Sequence, residues 1–221
     1  MIRPLLLTGT AALALTACIR AGAPPASTEP QDAFWAALSS HCGNAYEGRL
    51  ASNDAADANM AGSAMVMHVR ECSDTAISVP FHIQQAGGEW DRSRTWVLTR
   101  TDSGPDTGPD TGIRLKHDHR HQDGQPDAVT MYGGDTATKG TATAQDFPVD
   151  QFSIDMFKRE GLDVSVTNVW RIEVDPADAA GAEFAYQLTR TVEGGAPQPR
   201  FFRVEFNLTK PVDPPPPPWG F

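Results

Sequence analysis

The chain has 221 residues, 40% hydrophobic and 21% charged, with 28 acidic residues against 18 basic ones and a net charge of −10. That length suffices for one domain with a substantial core. The acidic balance argues against nucleic acid as a partner, because its recognition needs a basic patch, and against adsorption of the folded surface to anionic lipid.

In chain order, Arg3 is followed by PLLLTGTAALAL, an apolar run too short for a stable bilayer span. It ends in Leu15-Thr16-Ala17-Cys18. The arrangement reads as a leader that is removed and plays no part in the fold. It resembles the bacterial lipobox. That resemblance implies a signal peptide over 1–17, acylation of Cys18 and a membrane anchor, with Ile19 after the cysteine favouring the outer membrane. The folded part would then face the periplasm or the cell exterior. Loss of Arg3 with the leader leaves 17 basic and 28 acidic residues, a net charge of −11. Several acyl chains at about 0.8 kcal/mol per buried methylene would make attachment effectively permanent. Residues 18–31 carry the acylated end and a small, polar, proline-containing tether.

The body spans 32–210. DAFWAALSSHC (32–42) predicts one helix, capped by Asp32, with Phe34, Trp35, Leu38 and Cys42 as its apolar stripe. With Cys18 assigned to lipid, Cys42 and Cys72 remain as an even pair in an oxidising compartment, which predicts a disulfide. After Gly43 the apolar period changes to two. Strands are expected near 45–51, 65–70, 77–83, 95–101, 113–121, 128–132, 164–174, 184–188 and 202–208. The repeat GPDTGPDTG (104–112) reads as a duplicated hairpin tip, lacking the ligand density of a calcium loop. Pro211–Phe221, with five consecutive prolines, reads as a stiff, frayed tail; the sharper alternative is a docking peptide anchored by Trp219 and Phe221.

About nine strands with one apolar face and short turns predict an all-β fold, an antiparallel up-and-down barrel or else a sandwich. A short helix leading through GNAYEGRL into such a series resembles the calycin group, the lipocalins and fatty-acid-binding proteins. The Gly-x-Trp of the lipocalin signature is replaced here by Gly43-Asn44-Ala45-Tyr46. The resemblance implies a barrel of calycin type over roughly 32–209 that holds a ligand inside.

IRLKHDHRHQDG (113–124) contains the strongest chemical signal. Ile113, Leu115, His117, His119 and His121 share one parity; Arg114, Lys116, Asp118 and Arg120 share the other. Continuing the apolar face, the imidazoles are expected to point into the barrel, toward its mouth. Same-face neighbours lie ~6.6 Å apart, so adjacent pairs reach one ion whereas His117 and His121 do not. A third ligand would come from His41, His68, Asp123 or Asp127. Zinc or haem iron at these histidines is one reading, proton transfer a second, and bonding to tyrosines, carboxylates or water a third. Asp123-Gly124 is a hairpin turn. No serine elbow, phosphate loop or dinucleotide fingerprint is present.

The ligand-lining candidates are therefore His117, His119, His121, Trp96, Trp170 and Tyr186, with no catalytic residue nominated. The expected function is a membrane-anchored, non-enzymatic lipoprotein binding a small apolar molecule or lipid. The alternatives are a structural lipoprotein with a protein partner, and a metal- or haem-dependent protein.

Overall fold

The computed structural model describes residues 29–102 and 111–221. The lipobox at 15–18, the tether before residue 29 and most of the GPDT repeat lie outside the described residues. Helix α1 (Pro30–Ser39) is followed by β1 (Ala45–Leu50), a 3-10 turn (Ala55–Met60), β2 (Met65–His68), β3 (Glu71–Cys72), β4 (Ala76–Gln84), β5 (Trp90–Thr101) and β6 (Gly112–His119). Then come β7 (Tyr132–Asp135), β8 (Ala144–Pro148), α2 (Gln151–Arg159), a 3-10 turn (Asp163–Ser165), β9 (Val169–Val174), β10 (Glu183–Arg190) and β11 (Arg200–Val212).

All strand pairs are antiparallel, in the order β7-β6-β5-β4-β2-β1-β11-β10-β9-β8, with β3 appended to β4. Pairing of the first long strand with the last curls the meander into a barrel that is closed except between β7 and β8. This is the expected antiparallel barrel, with eleven strands among the described residues in place of about nine. The two-residue alternation produces it directly: Ile77, Val79, Phe81 and Ile83 of β4, and Phe202, Val204, Phe206 and Leu208 of β11, are all buried in one interior.

The β7–β8 seam is bridged without a ladder. The Asp150 amide donates to the Gly133 carbonyl at 2.9 Å, and the Gly133 amide donates to the Ser153 hydroxyl at 2.8 Å. Ser153 belongs to α2, whose N-cap Asp150 accepts from the Ser153 amide. Backbones pass so closely that a Cβ on Gly134 would lie 1.8 Å from the Pro148 carbonyl oxygen.

Helix α1 plugs the opposite end. Phe34, Trp35 and Leu38 are buried, and buried His41 bonds the Tyr46 hydroxyl and the Asp175 carbonyl, each at 2.8 Å. Asp32 is not the cap: it sits in the first turn and pairs with Arg100, while Glu29 occupies the cap position. Cys42, past the helix end, stands at disulfide distance from Cys72, with Cα atoms 6.2 Å apart.

Three further expectations change. The strand near 128–132 begins instead at Tyr132, after Met131 with φ 56°. The alternation over 164–174 is strand only from Val169; its first part is the 3-10 turn. The C-terminal tail is packed against the barrel rather than frayed. The Trp219 amide donates to the Arg92 carbonyl at 3.1 Å, Arg92 Nη1 donates to the Pro217 carbonyl at 2.7 Å, and Phe221 lies 4.9 Å from the Arg120 guanidinium.

Candidate functional site

At the end of the barrel away from α1 the interior does not fill completely. A cavity of about 370 Å³ opens there. Its floor is a layer of rings set by register. Trp96 on β5 faces His117 on β6, which faces Tyr132 on β7; Tyr186 on β10 comes from across the barrel. Trp96 stacks on Tyr186 at 4.5 Å and on Phe81 at 4.9 Å, and His117 stacks on Tyr132 at 4.5 Å. Trp170 completes the layer.

The histidines are orientated as their parity predicts, with one exception. His117 is buried and His119 lines the cavity above it. His121 does not line the cavity: it lies beyond the end of β6, on the turn where its amide bonds the Gln125 carbonyl, with its side chain 59% exposed. The chain has already left the sheet there, so strand parity no longer aims the ring. On the outer face, Arg114 pairs with Asp135, Lys116 with Asp150 and Arg120 with Asp118.

Both nitrogens of His117 are committed. A backbone carbonyl only accepts, so Nδ1–H donates to the Tyr132 carbonyl at 3.0 Å, and Nε2 accepts from the Tyr186 hydroxyl at 2.8 Å. The Tyr132 hydroxyl bonds His119 Nε2 at 3.1 Å. Burial lowers His117 to about 3, against a smaller opposing effect of its bond to Tyr132. Burial, helped by the Arg94 charge, lowers His119 to about 4. Burial also pushes the Tyr132 hydroxyl up to about 12 and Tyr186 well above its ordinary value. No group in this layer titrates near neutrality, where general acid–base transfer is most effective.

The same bonds bear on metal binding. His117 has no free nitrogen, and no three His, Cys, Asp or Glu side chains among the described residues stand together as a ligand set. The third ligands considered from the sequence are dispersed. His41 is bonded at the far end of the barrel, and Asp123 caps the hairpin turn through the Gln125 amide. His68 ends β2 and is not among the cavity lining, whereas Asp127 stands at the cavity rim and accepts from the Val129 amide.

The sequence reading overlooked the rim cations. Arg94, Arg190 and Arg200 each line the cavity. Each continues the inward parity of its strand, in Arg94-x-Trp96, Leu188-x-Arg190 and Arg200-x-Phe202, and that parity was the available signal. Arg200 is paired twice, with buried Asp57 and with Asp54. Arg94 pairs with Asp91. Arg190 instead donates through Nε to the Asn168 side-chain oxygen at 2.8 Å and through Nη2 to the Ser165 hydroxyl at 3.1 Å. Above the aromatic floor the wall is apolar, with Met60, Ile83, Val129, Leu162 and Leu188.

Five of the six lining candidates, His117, His119, Trp96, Trp170 and Tyr186, therefore meet in one cavity. Comparison with family models, curated proteins and solved structures finds no match, so the function rests on the chemistry of the cavity itself.

Proposed function

We propose that this chain is a lipid-anchored binding module of the cell envelope that takes a small molecule into the mouth of its barrel, in the manner of a calycin. The observation that carries this reading is the one-ended cavity of about 370 Å³ with an aromatic floor, apolar walls and a polar rim. Ligand sites commonly measure ~300–1,000 Å³ and combine apolar walls with a few fixed polar groups. The pre-bonded His117 supports the reading, because an imidazole with both nitrogens already paired needs no rearrangement to receive an apolar body. The LTAC box at 15–18 supports an acyl anchor on Cys18.

Titration with the neutral fluorophore N-phenyl-1-naphthylamine tests the cavity. The protein is expected to bind it with enhanced fluorescence. Leu188→Trp, which fills the space above the floor, should weaken binding at least tenfold while the variant still melts cooperatively. No binding, or binding indifferent to the filled cavity, refutes the reading. For the anchor, palmitate labelling should be present in the native chain and lost in Cys18→Ser.

A further inference from the structure

Arg190 and Arg200 are direct cross-strand partners on β10 and β11, and both point into the barrel mouth. Like charges placed opposite one another destabilise a sheet. Arg200 is neutralised by Asp57 and Asp54. Arg190 has only neutral partners, Asn168 and Ser165, and makes no ion pair among the described residues. Its Nη1 carries no protein hydrogen bond among them, leaving a guanidinium edge free at the cavity rim. Burial and the Arg200 charge depress its pKa, outweighing the opposite pull of Asp54, so an added negative charge would relieve the site. Across the rim, Asp127 disfavours a second negative charge on the ligand.

Depth limits the rest of the molecule. From Arg190 down to the floor residue Tyr186 is four residues of strand, about 13 Å at ~3.3 Å each. Beneath the floor the interior is filled by Leu98, Leu115, Phe184 and Phe206. A long extended acyl chain has no room; a compact ring system does.

We propose that the cavity takes a compact, ring-bodied organic monoanion whose carboxylate is held at the mouth by Arg190. This rests on the binding role proposed above and specifies the ligand's chemical class. Asn168 and Ser165 are positioning residues, fixing the guanidinium plane so that its free edge faces the mouth.

Isothermal titration calorimetry on the purified, disulfide-intact protein with 2-naphthoate, neutral 2-naphthamide and palmitate tests the proposal. The expected result is binding of 2-naphthoate at least tenfold tighter than 2-naphthamide, and tighter than palmitate. Arg190→Gln should abolish the preference for the acid, so that 2-naphthoate binds no tighter than 2-naphthamide. Asn168→Asp, which supplies an internal carboxylate to Arg190 and keeps the side chain in place, should do the same. Equal affinity for acid and amide, an acid preference that survives both variants, or tighter binding of palmitate overturns the proposal and leaves the cavity reading intact. Failure of all three compounds to bind overturns both.

Discussion

Burial lowers the pKa of His82, His117 and His119 well below the ordinary imidazole value. His117 and His119 belong to the cavity floor and rim; His82 lies on the other parity of β4, 1% exposed, with neither ring nitrogen hydrogen-bonded among the described residues. Burial holds His117 near 3 and the other two near 4, below the ordinary value of 6.5. Below pH 6.5 the unfolded chain binds protons that the folded chain refuses until about pH 3–4. The stability is complete above pH 6.5 and is lost as the pH falls from there toward 4, by up to about 1.4 kcal/mol per pH unit for each imidazole. Urea denaturation between pH 7.5 and 4.5 should show this slope, and a flat profile would contradict neutral burial. His82→Leu removes an imidazole that makes no hydrogen bond, so it should stabilise the protein by about 1–3 kcal/mol at pH 4.5 and much less at pH 7.5.

The element on which the barrel depends most is the β7–β8 seam, because no strand ladder closes it. There Asp150 does three things: its amide reaches Gly133, its carboxylate caps α2 through the Ser153 amide, and it pairs with Lys116. Asp150→Ala should destabilise the protein by roughly 1–3 kcal/mol, from the lost cap and the lost charged hydrogen bond. Gly134→Ala places a methyl against the Pro148 carbonyl and must push the strands apart, for about 2–3 kcal/mol. Hydrogen exchange at the Asp150 amide distinguishes a local opening from global loss: it should accelerate in Gly134→Ala beyond what the drop in overall stability explains. On the outer wall, by contrast, Arg171, Glu173, Arg203 and Glu205 form an alternating chain of ion pairs across β9 and β11. These pairs are half-buried and still reach solvent, and such pairs contribute little individually, so single alanine changes there should stay within about 1 kcal/mol.

For the whole molecule, two long-range attachments matter. The Cys42–Cys72 link spans 30 residues and ties the end of α1 to β3. In the chain-entropy model closing such a loop contributes roughly 3 kcal/mol, so Cys42→Ala/Cys72→Ala should lower the unfolding free energy from urea denaturation by that amount with the fold retained. The tail is the second. Pro218 is buried and Trp219 half-buried against the barrel, so truncation after Asp213 should cost about 1–3 kcal/mol and leave binding in the cavity mouth unchanged. A tail-truncated protein as stable as the full chain would show that the docked segment is only a bystander.

The sequence by itself determined what depends on neighbours along the chain. Period-two alternation placed the strands and their inward faces, so Trp96, His117, Tyr186 and Ile172 were orientated before their partners were known. The even pair of cysteines was legible too. Helix α2 was not read, although Asp150 with Ser153 three residues on, then Met156 and Phe157, has a cap and a stripe; its apolar content is low and the strand pattern around it dominated. What only the tertiary structure decided are relations between residues far apart in sequence. Strand pairing gave His117 Nδ1 to the Tyr132 carbonyl, and closure of the barrel brought the Tyr186 hydroxyl across to Nε2, leaving neither nitrogen free. Arg190 and Arg200 face each other across one hairpin, and the turn after β1 brought Asp57 to Arg200 alone. Parity is a property of a single strand, whereas charge compensation depends on which strands the closed barrel sets side by side.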